Sequence, residues 1–367
     1  MSLATASGRF SCLHAHQGIV ATQPVTPVHP LARRRKCSGV PASTLTVSPS
    51  PVRVPGFHEY GFKAEQGLRG NMEDELHAQW NEAQDYLFLG CYDGHGGTAS
   101  AQWLKAHLHQ TVAEKLKEGV STGEDPGSTL ASAFKHADNL LLEHLQGDDE
   151  LEQTGSTATV AIVRQDGVSV ANVGDSQACI MRRDRSLVQL TTPHRVYGPK
   201  SQAIADEVAR VKAAGGWVYD GRVCNILAVS RAFGDWEMKG IGLAKLLSAG
   251  VERGYWPQEF ADKQNFTSDP VIVNPATASA DLTEEDEFLV VSTDGLWDVM
   301  QPREAMLYAR KELLRGKSAQ EVAESLVEVA LKRYSSDNIS TLVVDFKDPE
   351  YWAGQNKKPR GFWSFLS

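Results

Sequence analysis

Short runs of apolar, largely β-branched residues recur along the chain between residues 86 and 346. Runs of this length and composition, separated by polar and glycine-containing stretches, are typical of buried β-strands. The predicted strands are 86–92, 158–163, 168–173, 178–181, 287–292 and 339–346.

Other segments carry apolar residues three or four positions apart, which predicts amphipathic helices. In the first of them, Ala101, Leu104, Leu108 and Val112 share one face, and we expect that helix to end before Gly119. The predicted helices are 98–118, 130–145, 204–214, 303–314 and 319–334. Because strands follow strands and the helices come in blocks, the pattern favours an α+β fold with antiparallel sheets packed together and helices outside.

Three segments do not fit the strand or core-helix pattern. Residues 119–127 are polar and rich in glycine, which predicts a loop. Residues 191–225 contain one predicted helix, and we interpret them as a flap on the domain. Residues 239–269 are aromatic with mixed charge and no strand pattern, so we interpret them as an insertion.

Charge is distributed unevenly along the chain, whose formal net charge is −9. The first 58 residues hold six of the 37 basic side chains, and the first acidic residue is Glu59. The remainder therefore carries 31 basic against 46 acidic side chains. An acidic body argues against a general nucleic-acid binder. No apolar run approaches 18 residues, so no membrane-spanning helix is predicted.

The acid-free beginning of the chain is rich in Ser, Thr, Ala and Pro and lacks the apolar block of a secretory signal. Such a composition predicts an organelle transit peptide; the alternative is a disordered basic tail that is never removed. We therefore divide the chain into a leader (1–57), a catalytic domain (58–346) and a C-terminal tail (347–367). The five cysteines show no metal-ligand or disulfide spacing, and we expect them to be reduced: Cys12, Cys37, Cys91, Cys179 and Cys224.

Acidic residues stand at the ends of several predicted strands. Asp93 ends the run 86–92 and is followed by Gly94, and Asp294 ends the run 287–292 and is also followed by glycine. A carboxylate at the end of a buried strand is unfavourable unless something pairs with it. The alternative for each acid is a turn in which the aspartate binds its own backbone. Further acids in comparable positions are Asp175, Asp337, Glu73 and Asp74.

A set of carboxylates without cysteine suits hard cations such as Mg²⁺ or Mn²⁺ better than zinc. Two such ions can share a carboxylate and activate a water as nucleophile towards a phosphate ester. His95 is placed two residues from Asp93 to protonate the leaving alkoxide, and Arg69 can hold phosphate oxygens. The alternatives are a loop histidine without a role and a surface arginine.

Seven ordered motifs within residues 58–346 resemble those of type 2C protein phosphatases, the PPM family of metal-dependent serine/threonine phosphatases. They are Arg69-x-x-Met-Glu-Asp74, Asp93-Gly-His-Gly-Gly97, Gly155-Ser-Thr-Ala158, Gly174-Asp-Ser-x-Ala178, Ala228-Val-Ser-Arg-Ala-x-Gly-Asp235, Asp294-Gly-x-Trp-Asp298 and Asp337-Asn338.

The resemblance implies a central β-sandwich flanked by helices, with two Mn²⁺ or Mg²⁺ ions and a weaker third ion at one end. It implies that Asp93 bridges both ions and that Gly94 offers its carbonyl oxygen. By the same resemblance Arg69 binds phosphate and His95 is the general acid. The remaining implied ligands are Glu73, Asp294 and Asp337, with Asp175 at the third ion and Asp74 behind the ligands.

Within the family, the flap, the insertion segment 250–256 and the leader resemble thylakoid-associated plant members that act on light-harvesting antenna proteins. This predicts a monomeric chloroplast enzyme at the stromal side of the thylakoid, with phosphorylated light-harvesting complex II as substrate in state transitions. Alternatives are other chloroplast phosphoproteins, such as photosystem core subunits, or a family member that binds phosphoproteins without catalysis. A dinuclear metal nuclease is disfavoured, because an acidic body lacks a basic groove. Residues expected to recognise substrate are His194, Arg195, Tyr197 and Arg231.

Three departures from the family pattern concern the flap and the tail. Pro193 stands where an aspartate usually precedes the flap histidine, and Ile226 stands where many members have glycine. The tail ends in basic and aromatic residues (357–366) that are too few to span a bilayer. They predict either a peripheral contact with an anionic membrane or a disordered tail.

Overall fold

The structure is a computed structural model that describes residues 57–355 and, before them, the backbone of Val52–Val54. Most of the predicted leader, including Cys12 and Cys37, lies outside the described residues, as does the tail from residue 356 onwards. Within the described part, no helix combines the length and apolar character needed to cross a bilayer.

Two antiparallel sheets form the centre of the fold; their strands are numbered in chain order. The six-stranded sheet contains, in spatial order, β1 (Val52–Val54), β2 (Phe57–Glu65), β16 (Ile339–Asp345), β15 (Asp286–Ser292), β9 (Gln177–Arg182) and β10 (Leu187–Gln189). The five-stranded sheet contains β14 (Ala276–Asp281), β8 (Gly167–Val173), β7 (Ala158–Val163), β4 (Tyr86–Tyr92) and β3 (Glu75–Asn81). The short strands are β5 (Gly94–His95), β6 (Gly155–Ser156), β11 (Val218–Tyr219), β12 (Arg222–Val223) and β13 (Phe233–Gly234).

The helices lie on the outer faces of the two sheets and in the flap and insertion. They are α1 (Ala99–Thr122), α2 (Pro126–Leu145), α3 (Gln202–Ala213), α4 (Gly242–Glu252), α5 (Gln258–Ala261), α6 (Asp294–Trp297), α7 (Pro302–Leu314), α8 (Ala319–Lys332) and α9 (Pro349–Gln355). A short 3₁₀ turn covers Trp236–Met238.

Side chains alternate between two buried faces along the central strands, which explains the continuous apolar runs. On β4, Phe88 and Tyr92 pack against α1 and α2, whereas Leu87 and Leu89 pack between the sheets. On the other sheet, alternate residues of β15 face α7 and α8. The architecture is therefore helix, sheet, sheet, helix, and the α+β sandwich prediction is confirmed.

The predicted end of the first helix at Gly119 is wrong, because α1 continues to Thr122 and ends at Gly123 in the left-handed conformation. Gly119 is buried inside the helix, and a Cβ added there would lie 2.5 Å from the Thr129 hydroxyl of α2. In the sequence, a glycine that allows close packing of two helices cannot be distinguished from a glycine that ends a helix. The predicted loop 119–127 therefore shortens to residues 123–125.

The flap (191–225) and the insertion (239–269) share a hydrophobic core of their own. Val211 and Val223 of the flap and Leu246 and Trp256 of the insertion belong to one buried cluster. The rings of Trp217 and Trp256 meet edge to face, with centroids 5.2 Å apart. The two segments thus form one packed unit, in which the insertion folds as α4 and α5 and the flap adds the β11–β12 hairpin to its helix.

The start of the predicted tail and the described cysteines belong to the folded body. Helix α9 places Trp352 in the cluster beneath α7 and α8, where its indole Nε1 donates to Asp345 at 2.9 Å. Cys91, Cys179 and Cys224 are buried and free. Residues 349–355 thus pack as structure and leave only later residues for a tail.

Candidate active site

Three strand-end carboxylates converge at one end of the sandwich. Asp93 lies between β4 and β5, Asp175 in the turn from β8 to β9, and Asp294 at the start of α6 directly after β15. One oxygen of each lies within 4.8 Å of the others. Because β4 and β15 belong to different sheets, the site forms only when the two sheets pack against each other.

Burial and mutual repulsion act on these acids together. Burial, and then the charges of Asp74, Asp294 and Asp175, raise the pKa of Asp93 well above its ordinary value. Burial and the charges of Asp175 and Asp298 do the same for the pKa of Asp294, although Arg195 opposes the shift. Ionised carboxylates this close need a cation. The oxygen-only donor set fits Mg²⁺ or Mn²⁺.

Glu73 and Asp337 line the same cavity of about 210 Å³ as the three clustered aspartates. Asn338, next to Asp337, accepts from the Glu73 backbone N–H at 2.8 Å and donates to the carbonyls of Gln66 and Asn71. The loop that carries Glu73 is therefore tied to the start of β16.

A glycine is required between Asp93 and His95. A Cβ at Gly94 would lie 2.4 Å from the Glu73 carbonyl oxygen, so only glycine allows this approach. Behind these residues, burial raises the pKa of Asp74 to about 7, although a hydrogen bond from Thr293 opposes the shift. Asp74 is thus placed to support the loop and not to reach the cavity.

His95 is held by an acid that the sequence analysis did not single out. Its Nε2 lies 2.9 and 3.1 Å from the two carboxylate oxygens of Asp235. Burial lowers the pKa of His95, but the charge and hydrogen bond of Asp235 outweigh it and the net shift is upward. A Cβ at Gly155 would lie 2.3 Å from His95 Nε2, so that glycine makes room for the pair. The Gly234-Asp235 motif was the available signal.

Arg69 is also one of the residues that line the cavity. Its Nη2 donates to Asp337 at 2.6 Å and its Nε to the Ser336 carbonyl at 3.2 Å. The side chain remains 52% exposed, so the guanidinium keeps donors available for a ligand.

Arg195 of the flap contacts the acid cluster itself. Its three nitrogens donate to Asp175 at 2.6 Å, Asp294 at 2.7 Å and Asp298 at 2.9 Å. Its guanidinium also lies over the ring of Tyr197, 5.0 Å from the centroid. Tyr197 lines the cavity, whereas Arg195 acts as a cation bound to the acids. The sequence analysis did not anticipate that Arg195 would bind the acids expected to hold metal ions.

The other two residues expected to recognise substrate, His194 and Arg231, do not line the cavity, contrary to their expected contact with substrate. His194 is 4% exposed, and burial lowers its pKa to about 4, so it is a neutral core residue. Arg231 binds Glu207 through Nε and Nη2 and the Asn274 carbonyl through Nη1. Glu207 also accepts from Arg210 and Ser230, so Arg231 belongs to a clamp that fixes helix α3 to the body.

The model of the protein phosphatase 2C family matches residues 58–339, which is most of the chain. This chain is a type 2C protein phosphatase. The phosphatase is 36% identical over 333 residues to Protein phosphatase 2C 57 of Arabidopsis thaliana, covering 88% of this chain and 83% of that protein. It is 33% identical to Probable protein phosphatase 2C 27 of Arabidopsis thaliana, covering 79% of this chain and 69% of that protein.

The fold of the phosphatase is also that of solved relatives. The crystal structure of serine-threonine phosphatase 2C from Toxoplasma gondii superimposes with a TM-score of 0.61 at 20% identity, covering 81% of this chain and 97% of that chain. The chain is therefore a metal-dependent serine/threonine protein phosphatase whose carboxylate cluster suits a metal ion.

Proposed function

We propose that this phosphatase acts in the chloroplast, where it dephosphorylates light-harvesting complex II at the stromal side of the thylakoid. The chemistry uses two Mn²⁺ or Mg²⁺ ions and a weaker third. The observation that carries the chemistry is the convergence of Asp93, Asp175 and Asp294 beside the His95–Asp235 pair. The antenna substrate rests on the flap, the insertion and the leader.

Asp93, the Gly94 carbonyl, Glu73, Asp294 and Asp337 would hold the two ions, with Asp175 and Asp294 at the third. Bound there, the ions neutralise phosphate charge and lower the pKa of the attacking water. Arg69 orients the phosphate through the donors that Asp337 leaves free. His95, oriented by Asp235, donates a proton to the departing serine or threonine oxygen.

The antenna proposal is supported by the position of the segments that carry the resemblance. Gly250, where a Cβ would lie 1.9 Å from the Trp256 ring, lets this ring pack within the insertion, and Trp256 in turn meets Trp217 of the flap edge to face. Arg222 of the flap and Tyr255 of the insertion line a cavity whose wall also includes His95. A substrate protein that reaches His95 therefore meets the flap and insertion first.

The experiment that tests the substrate compares the phosphoproteomes of thylakoids from plants or algae with and without this phosphatase. Antenna phosphothreonines that persist only in its absence support the proposal. Persistence confined to photosystem core subunits would favour the alternative substrate, and no difference in either class would refute a thylakoid role. A chimaera with the flap and insertion of an unrelated family member should lose antenna activity but retain activity on small phosphate esters.

Localisation, membrane contact and assembly state are part of the same proposal. The leader supports chloroplast import, the residues 357–366 support a peripheral membrane contact, and we expect a monomer. Import of a fusion of residues 1–57 to a fluorescent protein tests the address. Retention of that fusion in the cytosol would refute it.

A further inference from the structure

A second cavity, which we call the side cavity, opens next to the metal-site cavity. Its volume is about 310 Å³, and the walls of both cavities include His95, Arg222 and Leu227. The flap hairpin forms one wall, and Tyr255 of the insertion contributes to the other. The two cavities therefore adjoin at these three residues.

Each acidic residue in the wall of the side cavity already has a basic partner. Asp235 is bound to His95, and Glu237 accepts two hydrogen bonds from Arg253, at 3.0 and 3.1 Å. Glu152 is paired with Lys245. These three carboxylates are also buried, at 4%, 6% and 3% exposure. Each carboxylate in the wall is thus already in contact with a basic side chain.

Unlike these paired and buried acids, Arg222 presents an exposed charge in the wall of the side cavity. Its side chain is exposed, and its polar contact is a hydrogen bond from Nη1 to the Ile226 carbonyl at 2.7 Å. Within residues 57–355 it has no carboxylate partner. Four of the five guanidinium N–H groups thus make no hydrogen bond within residues 57–355, and their fork matches carboxylate or phosphate.

The backbone holds Arg222 in place. It follows Asp220-Gly221, both with positive φ (47° and 71°), which form the two-residue turn of the β11–β12 hairpin. The next residue, Val223, is fully buried in the core shared by flap and insertion. The guanidinium therefore projects from a fixed turn at the boundary between the two cavities.

The chemistry of the reaction decides which part of a substrate reaches this position. If His95 protonates the departing oxygen, the polypeptide that carries this oxygen must lie on the His95 side of the phosphate. His95 also forms part of the wall of the side cavity. Residues that flank the phosphorylated position are thus directed past Arg222.

We propose that Arg222 selects phosphoprotein segments that carry a second anionic group close to the phosphorylated residue, and that the side cavity receives this group. The group is a carboxylate of Asp or Glu or a second phosphate. The inference rests on the proposed role of His95 but not on the antenna substrate.

The test uses phosphothreonine peptides in which one glutamate is moved through the three positions on each side of the phosphothreonine, with matched glutamine peptides. We expect kcat/KM to be about three- to tenfold higher for glutamate at one position, as for an exposed charge-assisted contact. Arg222→Ala should abolish this preference and Arg222→Lys should retain part of it. The control is Lys212→Ala, which removes an exposed flap cation outside both cavities and should retain the full preference.

A further set of peptides carries a non-hydrolysable phosphonate at the favoured position. A larger gain than with glutamate assigns the site to a second phosphate, and an equal or smaller gain assigns it to acidic side chains. Hydrolysis of all peptides without a charge preference, or a preference that survives in Arg222→Ala, would overturn the inference and leave the phosphatase assignment intact. Absence of hydrolysis of any peptide would instead contradict the proposed mechanism.

Discussion

The imidazole Nε2 of His95 lies 2.9 Å from the carboxylate of Asp235, although 140 residues separate the two in the chain. Asp235 is 4% exposed and stands in the left-handed backbone conformation, with φ of 54°. Its strand neighbour Gly234 pairs with Gly155, which in turn pairs with His95. The three-stranded sheet β13–β6–β5 therefore holds Asp235 next to His95, the proposed proton donor.

Replacement of Asp235 by asparagine tests this arrangement through its dependence on the leaving group. We expect Asp235→Asn to lower kcat on a phosphothreonine peptide by about 10- to 100-fold, because a misoriented His95 protonates the alkoxide poorly. For p-nitrophenyl phosphate, whose leaving group needs no proton, we expect a loss below about threefold. Asp281→Asn, on exposed strand β14, serves as the control. Equal losses on both substrates would show that Asp235 has a purely structural role.

Replacement of Asp93 by asparagine tests how the acid cluster affects both metal-dependent activity and stability. We expect Asp93→Asn to abolish metal-dependent hydrolysis without unfolding the protein. In EDTA its Tm should equal or exceed that of the wild type, because the variant lacks a buried carboxyl group whose ionisation is opposed by burial and by the neighbouring acids. Mn²⁺ should raise the Tm of the wild type but not of the variant, since only a ligand bound to the folded state stabilises it. Wild-type turnover by the purified variant would refute the site.

Arg195 occupies oxygens that the proposed third cation would use. The guanidinium donates to Asp175 and Asp294, the two acids assigned to the weaker ion. Arg195→Ala removes this positive charge, so we expect Mn²⁺ to bind the weakest site about tenfold more tightly in calorimetric titration. Arg195→Lys, which keeps the charge, should lie closer to the wild type. Unchanged affinities in both variants would mean that the arginine does not compete with the ion.

Local sequence pattern was sufficient for elements whose two faces are both buried. Strand β4 was predicted with its exact bounds because all seven of its residues are buried. Strand β14 was missed because its residues alternate between half-buried and exposed at the edge of the sheet. Strands β2 and β3 were missed because polar residues interrupt their apolar positions. A half-solvated strand therefore carries a weaker signal than a buried one.

The residues of the candidate site likewise divide into those that the local sequence pattern identified and those that it did not. Repeated strand-then-aspartate order identified the acids that meet, because each is fixed by its own strand. Partners such as Asp235 for His95, or Glu207 for Arg231, depend on contacts between distant segments that no local pattern encodes. Arg231 was consequently assigned to substrate, although it forms part of the clamp that holds the flap.

Asp345 makes the stability of the fold dependent on pH at a place remote from the catalytic cavity. Burial raises its pKa to about 7, although hydrogen bonds from the Lys347 backbone and Trp352 oppose the shift. The opposing strand places Glu59 directly beside it, and the charge of this acid adds to the upward shift. The folded protein therefore keeps a proton on Asp345 that the unfolded chain releases near pH 4.

A folded-state pKa above the unfolded value means that the stabilisation is complete below about pH 4 and is lost as the pH rises through about 7. The shift corresponds to at most about 4 kcal/mol of unfolding free energy. We expect urea unfolding in EDTA to show lower stability at pH 8 than at pH 5, and Asp345→Asn to reduce this difference. Asparagine gives up one of the two accepted hydrogen bonds, which costs about 1–3 kcal/mol at every pH and leaves the slope as the readout. The clustered acids near Asp93 titrate in both proteins, so the difference between the two slopes isolates Asp345. Identical slopes would show that Asp345 is already ionised at pH 5 in the folded state.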